Sequence, residues 1–168
     1  MPTLVPLLVF CQALGASIGA LTAVWSELAY VKAMRDGQLD RAERAHLDSI
    51  AHGLRYGMVL LLLASLGLVI VAYTRQATFQ PALTASYWIL TVLALLVIGV
   101  SWALSRRRIS FALGSAIVFT AWWFLAYLSL GWLPSLSFGA AVMSFIVATA
   151  IFYALLSYAR LLASPKGT

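Results

Sequence analysis

Of 168 residues, 63% are apolar and only 10% are charged, so the chain has too little polar surface to clothe a soluble globule. A net charge of +6 and a mean hydropathy of +0.97 place the basic residues beside long apolar runs, where they set membrane orientation rather than bind nucleic acid. A soluble fold and a nucleic-acid partner are therefore excluded from the expectations, and the lipid bilayer is the first partner.

About 20 residues at 1.5 Å each cross a hydrocarbon core roughly 30 Å thick, and five runs reach that length. They cover approximately residues 4–27, 54–73, 84–104, 109–132 and 138–162. Runs such as Met58 to Ala64 do not alternate in polarity, which argues against a barrel. The expected architecture is all-α: one transmembrane helical domain over residues 1–168, with helices 1 and 2 extended into a cytoplasmic hairpin at 28–53.

No Lys or Arg precedes the first run, so it reads as a retained anchor rather than a cleaved secretory signal. Cys11 within it is a lone thiol and reads as a small buried hydrophobe. Gly15 and Gly19 form a G-x-x-x-G face that suits close helix packing, either within the chain or on a homo-oligomer surface. The run ends at Glu27. An acid at the end of a spanning helix must be hydrated, protonated or paired, and counting from Leu4 places it about one turn beyond the hydrocarbon edge. The reading pairs it with Arg55 on the adjoining helix, with proton or cation handling as the alternative.

All five acidic residues fall between Glu27 and Asp48, and both histidines lie in or just beyond that window. Asp36-Gly37 suits a helix C-terminus, Asp40 opens the next helix, and Glu43 three residues on completes an acidic capping box. Leu47, Ile50, Ala51 and Leu54 then form an apolar stripe facing Leu28, Val31 and Met34. On another face Asp40, Arg44, Asp48 and His52 follow one another four residues apart, a charged ladder and a candidate docking surface for a membrane or cytoplasmic protein. The Asp36–Glu43 run resembles the end of a calcium loop, but Lys32 and Met34 stand where oxygen ligands belong. Six residues on a helix turn about 600°, so His46 and His52 do not chelate one ion. No metal and no other cofactor is expected.

In the later spans, Tyr73 and Trp88 mark one membrane boundary, and Tyr56, Trp102 and Tyr158 the other. Trp122 and Trp123 lie mid-span, so at least one belongs in the core. Ser65, Thr91, Ser115, Thr120, Ser144 and Thr149 are the hydroxyls that a narrow polar path would use. Residues 13–23 and 112–121 share a loose pattern of the kind inverted repeats show, which so biased a composition also produces by chance.

Ten of the eleven basic residues fall on one set of alternate gaps, Arg75 being the exception. That asymmetry predicts an N-terminus outside and a C-terminus in the cytoplasm. The G-A-x-x-G of the first run, Ser26-Glu27, and Arg35-Asp36-Gly37-Gln38-Leu39 together resemble a family of small, functionally uncharacterised bacterial integral membrane proteins, over about residues 10 to 60. The resemblance implies a multi-pass protein of the bacterial inner membrane and supplies no activity. Its members often carry histidine near Gln12, and the absence of histidine here argues against a haem or copper role.

No nucleophile sits beside a base in any local motif, so catalysis is not expected. The reading is a non-catalytic scaffold or accessory subunit docking a partner through its hairpin. The alternative is a small-solute or ion transporter or channel with Glu27 at its inner mouth.

Overall fold

Long apolar runs without internal proline have no reason to break, and each folds as a single helix in a computed structural model that describes residues 4–35, 54–76, 80–132 and 137–163. Helix α1 spans Leu4–Arg35, with Pro6 in its first turn, where a missing N–H leaves no intrahelical bond unmade. A π-helical turn at Leu54–Met58 leads into α2, Val59–Thr74. After a 3-10 turn at Pro81–Leu83 come α3 (Ala85–Ser105), α4 (Phe111–Ser129) and α5 (Phe138–Ala163). All five helices are long and apolar enough to cross a membrane. The sequence reading of an all-α protein with five spans agrees with this.

The fourth span is shorter than expected. Instead of continuing to Trp132, α4 stops at Ser129, because Gly131 adopts a φ of +69°. The Trp132 N–H donates to the Tyr127 carbonyl and the Gly131 N–H to that of Leu128, the paired bonds of a glycine-terminated helix. At the start of α3 the Thr84 side chain accepts from the Tyr87 N–H at 3.4 Å, fixing that boundary.

Helix α4 is the inner member of the bundle and packs against α1, α3 and α5, while α1 also packs against α2. Its buried side chains include Val118, Thr120, Trp122 and Leu125, which close the middle of the bundle together with Leu61 of α2. By contrast α5 buries only Ala141, Arg160 and Ala163 and leaves Met143, Ile146, Val147, Ile151 and Leu155 exposed, as a lipid-facing helix does.

Small residues set the contacts. A Cβ on Gly15 would lie 2.7 Å from both the Gly57 carbonyl oxygen and the Leu61 nitrogen, so α1 and α2 touch backbone to backbone. A Cβ on Gly19 would fall 2.1 Å from the Trp122 ring, which occupies the space that the glycine leaves. The G-x-x-x-G face is thus consumed inside the chain, and Trp122 is the mid-span tryptophan that enters the core, at 1% exposure. Trp123 is half-buried.

These contacts fix depth. Tyr30 stacks on Phe111, the first residue of α4, with ring centroids 4.6 Å apart. Within the described residues α1 passes that level by Val31–Arg35, roughly 8 Å. The remainder of the expected hairpin, 36–53, lies outside the described residues.

Candidate functional site

Two polar groupings occupy opposite ends of the bundle. We call the end with the C-terminus of α1 and the Arg106–Arg108 turn the basic end, and the end with the Pro81–Leu83 turn the loop end.

At the basic end, Glu27 of α1 is 6% exposed and Arg160 of α5 is 8% exposed. The Arg160 Nη2 donates to both carboxylate oxygens of Glu27, at 2.9 and 2.8 Å, and to Ser115 Oγ of α4 at 2.7 Å. The Ser115 hydroxyl in turn donates to the Ala112 carbonyl at 3.2 Å. The guanidinium carbon lies 5.0 Å from the Tyr30 ring centroid and 5.3 Å from that of Phe111, so two aromatic faces cover the cation. Arg160 Nε is buried without a hydrogen-bond partner among the described residues. Chemically this is a clasp. One cation joins α1, α4 and α5, and its charge is matched in a low-dielectric setting where an isolated charge would cost several kcal/mol.

The sequence reading named Arg55 as the partner of Glu27, and the structure places Arg160 there instead. Register is the reason. Gly57 opposes Gly15 and Gly19, so Arg55, two residues earlier, sits near the level of Ala20 and Leu21 on the side of its helix turned away from α1. That level is about six residues, or roughly 9 Å, short of Glu27. Arg55 itself is exposed. In the sequence Arg160 is one of the ten basic residues whose placement sets orientation. A signal was present: it lies inside the last predicted span, at the same membrane end as Glu27. Of the remaining candidates, Gly15 and Gly19 pack as described, while Asp40, Arg44, Asp48 and His52 lie outside the described residues.

At the loop end a cavity of about 170 Å³ opens where α1, α2, α3 and α4 meet. Gln12, Ser65, Thr84, Ser86, Tyr87 and Ser129 line it, with Leu68, Leu90 and Leu128 between them. Ser65 donates to the Leu61 carbonyl at 2.8 Å and Thr84 to the Pro81 carbonyl at 2.7 Å. Ser129 Oγ is buried and has no partner among the described residues.

The hydroxyls that could have formed a path across the bilayer behave differently from that expectation. Thr91, Thr120 and Thr149 each donate to the carbonyl four residues back, at 2.8 Å. Ser144 is exposed on α5. Exposed Tyr73 and Trp88 mark the loop end; exposed Tyr56, Trp102 and Tyr158 belong to helix segments directed toward the basic end. The guanidinium carbons of Arg106 and Arg108 lie 5.7 and 5.2 Å from the Trp102 ring centroid.

Comparison with protein-family models, with curated proteins and with solved structures finds no match for the chain.

Proposed function

We propose that this chain is a non-catalytic scaffold or accessory subunit of a bacterial inner membrane, with its N-terminus outside and its C-terminus in the cytoplasm. It docks a partner protein through the charged ladder of Asp40, Arg44, Asp48 and His52. The positive-inside asymmetry supports the orientation, and the resemblance of residues 10 to 60 to small bacterial membrane proteins supports the location.

The observation that carries the reading is the Glu27–Arg160 clasp. An acid that handles ions during transport must exchange them, whereas this carboxylate is held at hydrogen-bond distance by a buried guanidinium. The mid-bundle hydroxyls bond to their own helices, and Trp122, Leu61 and Leu125 fill the level between the two ends. With the bundle occupied in holding itself together, the polar segment that follows α1 is the surface on which specificity can reside.

The test compares partners cross-linked in the native membrane by the unaltered chain and by a variant with Asp40, Arg44 and Asp48 changed together to Ala. The expected outcome is loss of a defined partner with no change in bundle stability. An unchanged set of partners rejects the docking role.

A further inference from the structure

We infer that the loop-end cavity is a binding site for a small uncharged polyol. The starting observation is a break in a pattern. Hydroxyls within these helices regularly satisfy themselves on a carbonyl of the preceding turn, as Ser65, Thr91, Thr120 and Thr149 do. Two buried hydroxyls among the described residues do not, Ser101 Oγ and Ser129 Oγ, and of the two Ser129 is the one beside the loop-end cavity. Leaving such a group unpaired is costly, and Ser129 lines a cavity with room for a partner.

Size and chemistry narrow that partner. A cavity of about 150 Å³ accommodates one benzene molecule, so the 170 Å³ here suits a ligand of roughly six heavy atoms. Among the described residues the lining carries no Asp, Glu, Lys, Arg or His. A charged ligand would surrender hydration without gaining a counter-charge. Ser65 and Thr84 have already committed their protons to the Leu61 and Pro81 carbonyls, and Thr84 also accepts from the Tyr87 N–H, so the lone pairs of Ser65 and the remaining one of Thr84 call for donors. The Gln12 amide and the Ser129 hydroxyl can each donate and accept. A polyol, whose every hydroxyl does both, matches this set, whereas an acceptor-only ring would leave the Ser65 and Thr84 lone pairs unused. Leu68, Leu90 and Leu128 supply the apolar faces on which its carbon chain rests. The inference is independent of partner docking.

Glycerol is the probe. Equilibrium dialysis of labelled glycerol against the full chain in nanodiscs, with empty nanodiscs as the blank, is expected to show saturable one-site binding. Ser129→Ala and Gln12→Leu should each weaken it by about three- to tenfold, the worth of one neutral hydrogen bond. Thr149→Ala, which removes a hydroxyl outside the cavity, should leave it unchanged. Each variant is first checked for helicity and monodispersity; should Ser129→Ala fail that check, Gln12→Asn and Tyr87→Phe interrogate the same lining. Absence of saturable binding to the unaltered chain, or equal affinity in the cavity variants, overturns the site. Glycerol 3-phosphate binding as tightly as glycerol overturns the uncharged class, and 1,4-benzoquinone binding more tightly overturns the polyol assignment.

Discussion

The two ends of the bundle treat polar groups in opposite ways. At the basic end a full charge is buried, and it is enclosed: Arg160 meets a carboxylate, a hydroxyl and two aromatic faces. At the loop end the polar groups around the cavity are neutral, and one buried hydroxyl there has no hydrogen-bond partner among the described residues. The difference follows from magnitude. A buried ion without its partner costs several kcal/mol, which a marginally stable bundle cannot carry, whereas an unsatisfied neutral hydroxyl costs about 1–3 kcal/mol and can be tolerated where a ligand site benefits. Burial alone thus does not mark a functional group, and neither does one missing bond, since Ser101 Oγ and Arg160 Nε are also buried without a partner among the described residues; an unpaired group beside a cavity is what makes a candidate site.

The comparison breaks hardest at Arg160. Arg160→Met leaves Glu27 without that guanidinium and is expected to cost about 3–5 kcal/mol in chemical unfolding in detergent, and Glu27→Gln a comparable amount. The double variant Glu27→Gln with Arg160→Met should recover most of the loss, since an ion pair replaced on both sides is often near neutral. A double variant no more stable than either single one would mean the pair is not the unit. Between the two ends, Gly19→Ala forces a methyl into the Trp122 ring and should cost about 1–3 kcal/mol. Combining it with Trp122→Phe, which opens room, should return part of that loss in the same unfolding measurement.

The smallest effects sharpen the contrast most directly. Ser115→Ala removes one of the acceptors of Arg160 and should lower stability by about 1 kcal/mol. The same change at Ser129 removes an unpaired buried hydroxyl and should raise stability, by about 1 kcal/mol, because no hydrogen bond is lost there and the desolvation cost is relieved. Equal effects at the two serines would erase the distinction between the ends.

Much of the fold was readable from hydropathy and length, because a span is defined by both and the lipid tolerates few alternatives. The end of α4 was misplaced: Trp132 is apolar and extended the run, while the glycine before it stops the helix by its backbone conformation. The G-x-x-x-G face was visible as a motif, but its partners were not. Gly57 and Trp122 approach it from different helices, and only the register of α1 against α2 and α4 brings them there. The same register explains the exchange of Arg55 for Arg160 as the partner of Glu27. The cavity had no local signature at all, since Gln12, Ser65, Tyr87 and Ser129 are ordinary polar residues on four separate helices.

One consequence of the clasp concerns the order in which the bundle is made. Glu27 belongs to the first helix in the chain and Arg160 to the last, so 133 positions are threaded before the two can meet. A chain stalled before α5 has packed, or truncated ahead of it, holds the Glu27 carboxylate without that guanidinium. The ion pair therefore closes only when the last helix has joined the first.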